Sequence, residues 1–195
     1  MSPRKRLIIF ATVVVGFVLL LVLIFGRGSG NNNQKTTKPV PNKPIVLTDY
    51  ADKDSKVVLN VSGQINGDDI HREIRITVTR GNRRLEVIQG YQGNVIQTQN
   101  FVNNPDAYDT FIRALARINF GKERKTSQTD ERGVCATGQR YIFEVYDNND
   151  RISRTWSATC IKGTSLAAPA LVLQLFRAQI TDYAKLTQKV ELSSR

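Results

Sequence analysis

The chain has 195 residues, 28 Lys and Arg against 17 Asp and Glu, and a formal charge of +11 that points to a polyanion until it is mapped. Seven basic residues and no acid fall within residues 1–43, leaving +4 on the rest, so the total charge argues little for nucleic-acid binding. Two cysteines and a single histidine leave no His/Cys cluster for zinc; HExxH, CxxC and phosphate-loop motifs are absent, and neither a cofactor nor a metal is expected.

Residues 7–25, beginning at Leu7 and ending at Phe25, carry no charge and follow Arg4-Lys5-Arg6. As a helix the run spans about 28 Å, close to the ~30 Å hydrocarbon core of a bilayer. It is too long for the apolar stretch of a cleaved signal, and Phe25-Gly26-Arg27-Gly28 offers no Ala-x-Ala site. The expectation is a single-pass anchor in the cell membrane, its lipid partner contacted by residues 7–25. Basic flanking residues put residues 1–6 in the cytoplasm and the C-terminal part outside. Residues 26–44 are rich in Gly, Asn, Thr, Lys and Pro and nearly empty of large apolar side chains, the composition of a disordered tether.

Residues 45–195 suffice for one core and form the expected extracytoplasmic α+β domain with a C-terminal tail. Ile74, Ile76 and Val78 alternate with polar residues up to Gly81-Asn82, and Leu85 and Val87 continue the apolar side. This is a hairpin with Val78 against Leu85 and Ile76 against Val87. A third strand over residues 95–101, polar at Gln97, Thr98, Gln99 and Asn100, suits an exposed or edge position. Asn104-Pro105-Asp106 combines an amide cap, a first-turn proline and an acid, and Tyr108, Phe111, Ile112, Leu115 and Ile118 recur at helical spacing before Gly121. Residues 122–133 read as a charged, solvated loop.

Tyr141, Phe143 and Val145 mark a strand, Asp147-Asn148-Asn149-Asp150 a turn, and Ile152 and Trp156 the returning strand. With a loop of residues 146–149, positions whose numbers sum to 295 face each other, which sets Cys135 opposite Cys160 on the inward face with Trp156; a two-residue loop keeps the same parity. On the oxidising side of a membrane the pair forms a disulfide. A second helix starts near Pro169 and buries Val172, Leu175 and Phe176. The order predicts an antiparallel sheet of about five strands with two helices packed on one face. Thr48-Asp49-Tyr50-Ala51 returns as Thr181-Asp182-Tyr183-Ala184, a chance echo or shared turn signal rather than a domain repeat.

Tyr141-x-Phe143 between an amphipathic helix and a Cys-to-Cys hairpin resembles small membrane-anchored exported bacterial domains of uncharacterised function over residues 74–183. That resemblance implies a bacterial cell-envelope setting and no catalytic residues. Gly163-Thr164-Ser165-Leu166-Ala167-Ala168-Pro169 resembles the nucleophile signature of subtilisin-like serine proteases, which implies serine hydrolysis by Ser165. Such a serine needs a histidine and an orienting acid, and the single histidine, His71, lies in Asp69-Ile70-His71-Arg72 without the family's H-G-T setting. The similarity is coincidental on this reading, and no catalytic residue is assigned. The expected function is a membrane-tethered binding or interaction module for an unknown envelope protein or polymer. The runner-up is contact with envelope polyanion or DNA by Arg75, Arg80, Arg83 and Arg84 around the first hairpin, nucleic acid being the less expected of these partners.

Overall fold

The computed structural model describes residues 45–192; the expected stub, membrane span and tether lie outside the described residues, as do residues 193–195. Among the described residues no helix is long and apolar enough to cross a membrane. Six antiparallel strands form one sheet in the order β4-β3-β2-β1-β5-β6. These are β1 (Ser55–Ser62), β2 (Arg72–Thr79), β3 (Asn82–Gln89), β4 (Asn94–Val102), β5 (Arg140–Asp147) and β6 (Asp150–Ala158). Three helices accompany them: α1 (Pro105–Arg117), α2 (Pro169–Arg177) and α3 (Tyr183–Thr187).

The sheet thus has one strand more than the alternation predicted, and the extra strand is central. Strand β1 pairs with β2 on one side and β5 on the other, so it is screened from both sides. Val57, Leu59 and Val61 enter the main core, and Val58, pointing the other way, is buried too. A strand covered on both faces has no reason to alternate apolar with polar residues, which removes the period-2 signal.

Helix α1 begins as its sequence dictates: the Asn104 Oδ1 accepts from the Ala107 N–H at 2.9 Å, and Pro105 opens the first turn. It links β4 to β5 across the sheet and buries Tyr108, Phe111, Ile112 and Leu115. Phe111 meets Phe176 of α2 edge-to-face at 5.2 Å, and Phe120 bridges Phe176 and Phe143. Both helices therefore share one core with the inward residues of β1, β2, β3 and β5. Tyr108 reaches the base of that core, its hydroxyl 2.8 Å from the Ser55 Oγ, and burial pushes the phenol up to about 12.

Two hairpin registers differ from the expected ones. In β2–β3, Ile76 faces Leu85 and Ile74 faces Val87; the loop is Arg80-Gly81, one step earlier than Gly81-Asn82. The slip is two residues, so the faces are preserved. In β5–β6 the loop shortens to Asn148-Asn149, with Asn148 in the left-handed region (φ 52°) that Asn tolerates. A register shift between Val145 and Tyr146 then sets Phe143 opposite Thr155 and Ile142 opposite Trp156. That irregularity inverts the parity along β6, and Trp156 lies on the face opposite Phe143 rather than inward. It is nonetheless buried, because other chain segments cover it.

The repeated tetrapeptide has two conformations. Thr48-Asp49-Tyr50 lies in a 3₁₀ turn (Leu47–Tyr50), whereas Asp182 takes φ 58° immediately before α3.

Candidate functional site

The helix-free face of the sheet collects most of its charged strand residues. Arg84 and Glu86 of β3, Arg75 and Glu73 of β2, Asn60 of β1, Glu144 of β5 and Arg154 of β6 share it by register. Glu86 lies between Arg84 (3.6 Å) and Arg75 (3.9 Å). Arg75 Nε also donates to the Asn60 Oδ1 at 2.8 Å and its terminal nitrogen lies 3.4 Å from Glu73. On the far side Glu144 accepts from Arg151 at 3.0 Å and lies 3.7 Å from Arg154, which forks onto Glu131. The result is a polar lattice whose arginines stay partly solvated while their carboxylates are largely buried.

The four arginines expected to act together are divided by the fold. Arg75 and Arg84 share the open face. Arg83 lies on the helix face, donating to the carbonyls of Gln179 (3.1 Å) and Val102 (2.8 Å), and ties the end of the α2 region to β3. Arg80 sits in the hairpin loop and donates to the Asp52 carbonyl.

At one end of the open face, Ser62, His71 and Arg140 form a buried polar cluster absent from the sequence-level expectations, with half-buried Glu73 and exposed Tyr91 at its margin. His71 and Ser62 are 2 % and 8 % exposed. His71 Nδ1 lies 3.0 Å from the Gln64 carbonyl, so Nδ1 carries the proton and Nε2 accepts from the Ser62 hydroxyl at 3.3 Å. Ser62 in turn accepts from Arg140 at 2.9 Å, and Tyr91 stacks on the imidazole at 4.1 Å. Burial, with Arg140 and Arg72 nearby, pulls the imidazole below its ordinary value against the opposing Gln64 bond and Asp68. Burial likewise raises the Glu73 carboxyl despite Arg75. Arg140 also donates to the carbonyls of Gly63 and Val134, so one guanidinium joins the end of β1 to the segment leading into Cys135. The hydroxyl–imidazole pair is fully hydrogen-bonded and its second nitrogen meets a carbonyl rather than an acid. It suits a positional role better than proton transfer. The spacing of Ser62 and His71, nine residues apart across a turn, gave no local motif to read.

The Cys135–Cys160 disulfide is present, with Cα atoms 5.8 Å apart. Its pairing arises differently from the expected register, because β5 and β6 end at Arg140 and Ala158. Cys135 is in the left-handed region (φ 52°), its carbonyl accepts from the Gly138 N–H, and this turn carries it back to Cys160.

Ser165 is buried in a turn whose Ala167 N–H donates to its Oγ at 3.1 Å, while its own N–H donates to the Trp156 carbonyl at 2.9 Å. Thr164 Oγ1 accepts from the Trp156 N–H, and Ala158 N–H donates to the Ile161 carbonyl, so this segment seals the outer edge of β6. His71 bonds Ser62, and the structure brings no histidine to Ser165. The loop of residues 122–133 is also more than a solvated connection. Its Thr129 carbonyl accepts from the Trp156 indole at 3.1 Å, its Arg124 backbone N–H donates to Thr164, and Glu131 is buried against Arg154. Among the described residues no group of three or more His, Cys, Asp or Glu is placed to hold a metal ion.

A search of protein-family models finds none that matches the chain, and a search of curated proteins finds no match either.

Proposed function

We propose that the chain is a single-pass, membrane-tethered binding module of the cell envelope, that its folded domain lies outside the membrane, and that it presents the open sheet face to its partner. The observation that carries this is the joint occurrence of the Cys135–Cys160 disulfide and a 19-residue uncharged apolar run preceded by three basic residues. A disulfide persists on the oxidising side of a membrane, and the basic flank sets the same orientation. The open face supports a binding role because its long side chains are held in place by Glu73, Glu86 and Glu144, which lowers the entropy lost on association. Cross-linking of the full chain to envelope components through a photoreactive residue replacing Arg84, compared with one replacing Leu171 on α2, tests the surface. Capture of one component from Arg84 alone is the expected result. Repeated absence of any partner, together with fluorophosphonate labelling that disappears in Ser165→Ala, overturns the binding reading in favour of hydrolysis.

The guanidinium groups of Arg75, Arg84, Arg151 and Arg154 stay more solvated than the carboxylates that hold them, and this favours an anionic envelope polymer as the second reading. Retention on heparin that falls steeply with salt and drops further in Arg84→Glu supports it; early elution unchanged by that substitution removes it.

A further inference from the structure

We infer that β4 is a self-association edge, and that its partner is the β4 strand of a second copy of this chain, paired antiparallel about a two-fold axis. The two edges of the sheet are treated differently. The outer edge of β6 is closed by the segment around Thr164 and Ser165, which takes up the outward N–H and C=O of Trp156. The outer edge of β4 is bare: among the described residues, no loop or side chain bonds the outward backbone of residues 95–101. Open edges of this length are normally protected by charge, proline or a cover.

Strand β4 reads NVIQTQNFV and is the one strand of the six with no charged residue. It lies within residues 87–105, the longest uncharged run among the described residues. The placement decides between occupants. Residues 44–195 carry a net +4, so two copies of the domain are not drawn together by net charge, and pairing along β4, which has no charged residue, sets no like charges against each other. Gln97, Thr98, Gln99 and Asn100 can each donate and accept, so the edge is complementary to itself, which an edge bearing Lys or Glu is not. A second copy also satisfies two bare edges at once, the isologous arrangement of a closed dimer.

The pleat restricts the register. Gln97, Gln99 and Phe101 face the helix side, opposite Val87, Leu85 and Arg83, and Thr98 and Asn100 face the open side. Facing residues of a two-fold pair must share a side, so only even sums of residue numbers are allowed. Centring on Gln99 sets Thr98 against Asn100 and Gln97 against Phe101. This register extends the exposed Val102, 85 % accessible, over the partner's Ile96, itself half-exposed at the bulge.

The test uses the full chain in mild detergent, by sedimentation across a concentration series, with far-UV circular dichroism as the folding control. The expected result is a protein mass that doubles with concentration and stays monomeric in Thr98→Lys/Asn100→Lys. Gln99→Cys, lying on the two-fold axis, should cross-link to its own copy under mild oxidation, whereas exposed Leu171→Cys should not. A chain that remains monomeric throughout overturns the inference. So does a dimer that persists in the lysine variant. If the lysine variant does not fold, the cross-link decides: a Gln99→Cys dimer supports the paired edge, and its absence refutes it.

Discussion

Replacing Gly163 by alanine tests whether Trp156 is buried where the sheet places it. A Cβ on Gly163 stands 2.5 Å from Trp156 Cε3 and 2.5 Å from the Trp156 carbonyl oxygen, against an ordinary carbon contact of about 3.5–4.0 Å. Something must move by about 1 Å. The ring is 1 % exposed and its indole N–H is bonded to Thr129, while the carbonyl is bonded to the Ser165 N–H. Neither can yield without losing a hydrogen bond, worth about 1 kcal/mol, on top of the ~1–3 kcal/mol of overpacking. The sum is about 2–4 kcal/mol, all of it steric, since Gly163 does not occupy the left-handed region. Urea unfolding followed by fluorescence reads this directly, because Trp156 is the sole tryptophan. With m of about 2 kcal/mol/M the midpoint should fall by about 1–2 M. Gly81→Ala is the control: nothing lies within 4 Å of its added Cβ, and the midpoint should barely change. Equal midpoints for the two variants would refute the placement of Trp156 beneath this loop.

Three further outcomes are expected. Cys135→Ser/Cys160→Ser should lose about 3.5 kcal/mol in the loop-entropy estimate for a separation of 25 residues, with the circular dichroism spectrum of the folded state retained; free thiols in the native protein by mass mapping would contradict the bridge. Because the native His71 imidazole is held below its ordinary 6.5, the unfolded chain takes up that proton first, so stability should decline as pH falls through 6.5 and level off once the native ring is protonated. Glu73, raised in the native state, acts oppositely at lower pH, and the His71→Gln difference curve isolates the histidine; an unchanged slope in that variant would show that the ring does not titrate as described. Asn104→Ala removes the cap on Ala107 and should cost about 1 kcal/mol in chemical denaturation, a loss restored largely by Asp or Ser at the same position.

Elements whose determinants are local were legible in the amino-acid sequence. The cap and proline of α1, the alternation of Ile74, Ile76 and Val78, the uncharged polar edge at Gln97–Asn100 and the pairing of two cysteines each express short-range chemistry or a solvent boundary. The faces of the first hairpin survived a two-residue error in register because the side-chain period is two. The tertiary structure decided what non-local contacts control. Strand β1 lost its alternation by being covered on both faces. One extra residue in β5–β6 moved Trp156 to the opposite face, a change invisible in spacing because a bulge restarts the period. The alternation already set Arg75 and Arg84 on one face, but that Arg83 ties the end of the α2 region to β3, and that Arg84 joins Glu86 in the polar lattice, depended on which elements pack there. Ser62, His71 and Arg140 came together only because β1, β2 and β5 are adjacent, an adjacency set by long-range strand pairing that no window of sequence contains.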